Sequence, residues 1–322
     1  MDTFELIFQF PGYEGPAVPE NECPRLRCAD RKGKVCEDEC ADECADGCDD
    51  EREDRLILDP NDPRRRWDSR LVRLSQLAEL HKPIAPALRF YRTVVEFQAG
   101  VSSRYLRVIE QDTPLRAQIE VSALTGEMPS LFSLVDRHGP ELLREAAHQW
   151  ELSGEQKWCQ ALQSVLGHDH TPSAGADDFF TRTCLQPIAE NLQLQLPEDT
   201  YTGSNVCPAC GGRPQMAVLR PEGDAAGRWL HCSFCLREWP FRRLICPWCG
   251  EEDKEKLPRF SSEDWPSLHV EACDACRRYL KTIDMTVDGL AVPLIDEAAL
   301  AVLDVWATDR GYTKIMPNLM GF

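Results

Sequence analysis

Apolar residues recur every three to four positions through the middle of the chain, and in short alternating runs only towards its end. Leu71, Leu74, Leu77 and Ala78 share one helical face. After His81-Lys82-Pro83, residues Ile84, Leu88, Tyr91, Val94, Val95 and Gln98 keep helical spacing, and Pro83 and Pro86 suit the start of that helix better than its interior. The same period predicts helices near 140–150 (Leu142, Leu143, Ala146, Trp150), 155–166 (Trp158, Leu162, Val165, Leu166) and 177–194 (Phe180, Cys184, Ile188, Leu192). Gly139-Pro140, Ser153-Gly154 and the loop Gly167–Gly175 punctuate them. Beyond residue 206 the pattern changes to β-like runs at Met216–Arg220, Arg228–His231, Glu238–Ile245, Leu268–Glu271 and Tyr279–Met285. A closing helix is predicted over about Leu294–Thr308, with Gly311 as its stop signal.

The cysteines give the β-rich part its chemistry. Four Cys-x-x-Cys pairs fall there: Cys207/Cys210, Cys232/Cys235, Cys246/Cys249 and Cys273/Cys276. The first and second pairs are separated by 21 residues, the third and fourth by 23. Eight thiolates so spaced fill two tetrahedral sites of four sulfurs and leave none over. Pro208 and Pro247 stiffen two of the turns, and Gly211 and Gly250 can take positive φ directly after a second ligand. Four anionic sulfurs suit Zn²⁺ or a single iron, and the spacing does not choose between them. Sequential pairing of the four knuckles and a crossed pairing both satisfy the count. With no open coordination position, hydrolytic metal catalysis is disfavoured. Thioredoxin-like dithiol chemistry is disfavoured too, because each pair has a partner pair.

The chain has 322 residues and a net charge of −18, of which −12 falls within residues 1–62. That segment is expected to be a disordered acidic tail: Cys36 to Asp54 holds eleven acidic residues and one base, Arg52. It carries six cysteines of its own (Cys23, Cys28, Cys36, Cys40, Cys44, Cys48), whose spacing matches no justified ligand pattern. Residues 63–200 and 201–322 each net −3, a poor footprint for a phosphate backbone, so nucleic acid is not an expected partner. No apolar run is long enough for a bilayer, and the N-terminus lacks a secretory signal, which makes the cytoplasm the expected compartment. There paired cysteines bind metal or do redox work more often than they form structural disulfides.

The fold class is therefore α+β, with a tail at 1–62, an α-helical domain at 63–200, and two tandem zinc-ribbon modules with a closing helix at 201–322. Other candidates have plainer readings. His168-Asp169-His170 reads as a surface loop, and His231 and His269 as strand residues that pack. Cys159 and Cys184 read as small buried hydrophobes. Trp229, Trp239, Trp248 and Phe241 could stack bases but are more simply core. Arg242-Arg243 and Arg277-Arg278 are short basic clusters.

The residues around the knuckles resemble one known family. Cys207-Pro-Ala-Cys210-Gly211-Gly-Arg-Pro214, Trp229-Leu-His-Cys232-Ser-Phe-Cys235-Leu-Arg-Glu-Trp239, Ile245-Cys246-Pro-Trp-Cys249-Gly250 and Glu271-Ala-Cys273-Asp-Ala-Cys276-Arg-Arg-Tyr279 are similar to the formate dehydrogenase accessory protein family, FdhE. Gly211 and Gly250 fall within those motifs, and Gly311-Tyr-Thr-Lys-Ile-Met-Pro317-Asn318, Leu77-Ala-Glu-Leu-His81-Lys-Pro83 and Leu185-Gln-Pro187 extend the likeness over about 64–322. The resemblance implies a non-catalytic cytoplasmic assembly factor that contacts the catalytic subunit of formate dehydrogenase. It also implies rubredoxin-like modules with iron as the associated metal, held by the eight cysteines. It leaves homodimerisation open, and the tail departs from the pattern. The alternatives are a nucleic-acid-binding zinc ribbon and a rubredoxin-like electron-transfer protein.

Overall fold

The computed structural model describes residues 63–110, 112–167, 175–197, 203–223, 225–263 and 265–321. The acidic tail with its six cysteines and the His168-Asp169-His170 loop lie outside these residues. Six helices of more than two turns come first: α1 Pro63–Leu80, α2 Ala85–Arg104, α3 Met128–His138, α4 Glu141–Ser153, α5 Glu155–Leu166 and α6 Ala176–Gln193. The α1 face carrying Leu74 and Leu77 is buried, and Pro86 sits in the first turn of α2. Helix α3 is additional to the helices predicted from the sequence, and its Met128, Leu131, Phe132 and Val135 are all buried at helical spacing.

Helix α6 runs through the middle, buried on every side from Asp178 to Gln193. It contains Pro187, which has no N–H to give the carbonyl of Thr183. The side chain of Gln98 on α2 donates to that carbonyl instead, at 3.3 Å. At its end α6 also carries Glu190, which pairs with Arg70 of α1 at 2.5 Å in the core.

The strands are β1 Pro214–Glu222, β2 Ala225–Cys232, β3 Glu238–Pro240, β4 Arg259–Ser261, β5 Leu268–Cys273, β6 Arg278–Asp284 and β7 Thr313–Lys314. The strand expected over Glu238–Ile245 is shorter than the sequence suggested. It stops at Pro240, and the last in-register bond runs from the Phe241 N–H to the carbonyl of Arg228 at 2.8 Å. Each half contributes three antiparallel strands, and the halves join into one sheet ordered β3-β2-β1-β6-β5-β4. The join is a parallel pairing of β1 with β6, Met216 opposite Lys281 through Leu219 opposite Asp284. β7 pairs with the other end of β6. Of the central strands, β6 is buried almost throughout and β1 from Pro214 to Leu219.

The closing helix is two helices, α7 Pro293–Ala299 and α8 Val302–Asp309, broken at Leu300. The reason lies across the sheet. Lys281 on β6 is completely buried, and its ammonium donates to the carbonyls of Glu297 at 2.5 Å and Leu300 at 3.3 Å, which the break frees. Lys281 also pairs with Asp304 at 2.5 Å and Glu297 at 3.1 Å. Lys314 pairs with both carboxylates, and Asn318 and Tyr279 supply further hydrogen bonds. Two cations thus meet two anions inside the protein. Around them, Val270, Ala272 and Tyr279 pack on Ala307 and Tyr312, and Leu268 and Ile283 pack on Ala291.

Lys281→Met should lower the unfolding free energy by about 3–5 kcal/mol, because two buried carboxylates would then share one lysine. Breaking the exposed Arg92–Glu96 pair by Glu96→Ala, which leaves the bonds of Arg92 to Leu71 and Ser75 in place, should cost under about 1 kcal/mol. Denaturant titration of both variants measures this. Burial alone would raise the Glu297 carboxyl, but Lys281 and Lys314 outweigh it and hold it at about 2, below its ordinary 4.5. Its stabilisation is therefore complete above 4.5 and is lost as pH falls from there through about 2. Melting temperature followed over that range should fall less steeply in Glu297→Gln than in the parent chain.

Candidate metal centres

Each Cys-x-x-Cys segment folds into the same tight turn. The N–H of the residue after the second cysteine closes on the carbonyl of the first: Gly211 on Cys207 at 2.8 Å, Gly250 on Cys246 at 3.0 Å, Arg277 on Cys273 at 2.8 Å. The closing residue has positive φ in all four turns: 74° at Gly211, 61° at Leu236, 79° at Gly250 and 56° at Arg277. Glycine takes this conformation freely, whereas a leucine or arginine pays about 1–2 kcal/mol for it. Tertiary contacts hold the latter two. Leu236 is buried. Arg277 bonds Asp274 at 2.8 Å and the Arg310 carbonyl at 2.5 Å, and lies over the Tyr312 ring. Backbone N–H groups point back at the sulfurs, from Gly212 to Cys210, Phe234 to Cys232 and Trp248 to Cys246, each at 3.4 Å.

The knuckles come together sequentially. Cys207 and Cys210 meet Cys232 and Cys235, while Cys246 and Cys249 meet Cys273 and Cys276, and within each group the sulfurs lie within 4.8 Å of one another. Cross-pair separations are 3.6 and 3.4 Å in the first group and 3.7 Å twice in the second. A tetrahedron of sulfurs about 2.3 Å from a central ion has edges of about 3.8 Å, so both groups have the dimensions of a four-thiolate site.

Without a cation, the thiols of each group oppose each other's ionisation. Hydrogen bonds from Cys207, then Cys232 and Cys235, hold the Cys210 thiol well below its usual range. Its bond to Cys210 pushes Cys207 well up, and burial pushes Cys235 up. Burial likewise pushes Cys246 up to about 11. At Cys249 burial opposes ionisation, but the N–H of Glu251 and the neighbouring thiols outweigh it and lower the thiol. A soft dication at the centre would remove this conflict, so the donor set fits such an ion.

The two centres differ in their surroundings. The first is buried and clamped by the helical half. Arg116 donates to the Cys210 carbonyl at 2.9 Å and lies over the Phe234 ring. From α6, Arg182 and Gln186 donate to the Ser233 carbonyl at 2.9 and 2.8 Å. The second centre lies at the surface, with Cys249 exposed and Cys276 half-buried. Nothing in the sequence singled out Arg116 or Arg182, and Gln186 stood out only as part of the Leu185-Gln-Pro187 likeness, since their role depends on chain segments far away. His231 and His269 are buried in strands outside both groups, Cys184 is fully buried and Cys159 only half-buried. Of the aromatic residues, Trp239 and Phe241 are core, while Trp248 is half-buried between Arg213 and Arg278.

Comparison with known proteins divides the chain between the same two centres. The family descriptions "FdhE, central domain" and "FdhE, C-terminal domain" match residues 206–243 and 245–320. A Pseudomonas putida protein named "Protein FdhE homolog" is 30% identical over 283 residues, covering 79% of this chain and 86% of the relative. The chain belongs to the FdhE family. An Aquifex aeolicus FdhE homolog is 30% identical over 197 residues, covering 60% of this chain and 68% of that protein. The crystal structure of the FdhE protein from Pseudomonas aeruginosa superposes with a TM-score of 0.61 at 26% identity, covering 80% of this chain and 96% of that one. The α+β architecture is thus shared with a solved FdhE structure.

A Cβ built on Gly212 would lie 2.9 Å from the Cys232 sulfur and 3.3 Å from that of Cys210, whereas one on Gly211 meets nothing within 4 Å. Gly212→Ala should therefore halve the metal content of the purified chain. Gly211→Ala should keep it and cost only the positive-φ penalty of about 1–2 kcal/mol. Elemental analysis and melting of the two variants test this.

Proposed function

We propose that this chain is an accessory protein of formate dehydrogenase, binding the catalytic subunit during maturation without turning over a substrate. Membership of the FdhE family carries the reading, and two closed four-cysteine centres support it. Cys207, Cys210, Cys232 and Cys235 would hold one ion, and Cys246, Cys249, Cys273 and Cys276 the other. Iron is the favoured metal on the family resemblance, and zinc is equally compatible with four thiolates. All four positions are occupied by protein sulfur, so an ion there would staple its ribbon and, if iron, could also pass single electrons.

The buried first centre suits a purely structural ion. At the second, the exposed Cys249 favours a further reading, rubredoxin-like electron exchange with a docked partner. Net charge in every segment argues against a nucleic-acid role.

The tagged chain, purified anaerobically from cells making formate dehydrogenase, should capture its catalytic subunit and contain two metal ions. Cys232→Ser should lose one ion and melt lower, whereas Cys159→Ser should keep both ions. Failure to capture the subunit, with normal dehydrogenase activity in a deletion strain, would sink the accessory role. A colourless, zinc-only protein with full biological activity would exclude electron exchange.

A further inference from the structure

The sheet face opposite the C-terminal helices carries an unusual concentration of positive charge. By strand register, Arg259 on β4 lies opposite Glu271 on β5, and Glu271 opposite Leu280 on β6. Arg278 is two residues from Leu280 and so shares its face. Arg228 on β2 meets Glu271 at 2.7 Å, although β1 and β6 lie between their strands. The two side chains thus reach over the intervening strands on one face of the sheet. The resulting hollow is a cavity of about 100 Å³ lined by these residues together with Arg243, Leu244 and the backs of Cys246 and Cys273.

Four guanidinium groups therefore line the hollow against one carboxylate, in a chain of net charge −18. That carboxylate is already engaged by Arg228. The other three cations are weakly committed. Arg243 has one contact of 3.5 Å to the Ala226 carbonyl and Arg259 stands 3.8 Å from Asp284. Arg278 lies over the Trp248 ring and reaches the Lys314 carbonyl at 3.4 Å. Arg228 is 4% exposed, and its Nε–H has no hydrogen-bond partner. Its Nη1 donates to the Arg242 carbonyl at 3.0 Å and its Nη2 meets Glu271, so Nε–H is the donor left over, and a buried unpaired donor costs about 1–3 kcal/mol.

We propose that this hollow binds a glutamate or aspartate side chain of a partner polypeptide. Planar guanidinium groups match the two oxygens of a carboxylate. The cavity is far below the roughly 300–1,000 Å³ of pockets that enclose drug-sized ligands, but it has room for a carboxylate on a short stem. At its rim Leu244 is 50% exposed, an apolar surface that a flanking residue of a peptide would cover and a free anion would not. The inference deepens the accessory-protein reading by assigning a surface and a chemistry to the partner.

The test uses the purified metal-loaded full chain and a labelled, capped peptide of alternating glutamate and leucine, followed by fluorescence anisotropy. Saturable binding is expected, with none for the glutamine–leucine counterpart. Arg243→Gln combined with Arg259→Gln should weaken it about tenfold, the scale of one charge-assisted hydrogen bond. Arg243→Lys should keep more affinity than Arg243→Gln. Both residues are exposed at the surface, so the fold should survive, as an unchanged melt would confirm. Arg144→Gln, an exposed arginine on α4, should leave binding unchanged. No saturable binding, or equal weakening by Arg144→Gln, would overturn the site. Displacement of the peptide by acetate at the peptide's own concentration would overturn the polypeptide assignment. Because dehydrogenase is absent, failure here leaves the capture experiment standing, and failure of capture leaves this site standing.

Discussion

The parallel pairing of β1 with β6 is the constraint on which the rest of this structure depends. Each ribbon alone is a three-stranded antiparallel unit with exposed edges and too little core to stand unaided. Joining the first strand of one to the last strand of the other removes two edges at once and makes one sheet. It places β6 centrally, which is why Lys281 is buried and must find Glu297, Asp304 and two freed carbonyls on the C-terminal helices. The break between α7 and α8 follows from that need. Over the same sheet Arg228 meets Glu271 and bounds the arginine-lined hollow beside Cys246 and Cys273 of the second centre.

Two centres built from the same turn have been given different environments. The first is reached by Arg116 and Arg182 from the helical half and shares a continuous apolar core with it. Opening that site would disturb both halves of the described chain. The second is held mainly by its own ribbon and the arginine stacking on Trp248, and it leaves a sulfur at the surface. An ion held there would lie nearer solvent than one in the first centre. This asymmetry, with the cationic hollow next to the exposed centre, places both proposed points of partner contact on one part of the molecule.

Much of this was legible in the sequence. Glu155–Leu166 emerges with the bounds its periodicity implied, because a strong apolar stripe between two glycines leaves little choice. Gly211 and Gly250 take the positive φ their positions required. Leu236 and Arg277 do the same without being glycine, and no local signal marks them, since what holds them is packing and the distant Tyr312 and Arg310. The strand predicted to Ile245 ends at Pro240 with one more bond at Phe241, because an apolar run does not record where its pairing partner stops. The closing helix was read as continuous because Leu294, Ala298, Ala301 and Val305 keep the helical period across a break imposed by a lysine on another element.

By itself the sequence determined the candidate ligands: eight cysteines at knuckle spacing, with the prolines and glycines that shape the turns, are local features that survive any arrangement of the rest. It also determined the order of helices before ribbons, because hydrophobic period is a property of short segments. Only the tertiary structure decided that the knuckles pair sequentially, that the two ribbons share one sheet, and that one centre is enclosed while the other meets solvent. Those outcomes depend on contacts between residues far apart in the chain, such as Met216 with Lys281 and Arg182 with Ser233. Spacing along a sequence carries no record of which distant backbone groups will need a partner once they are buried.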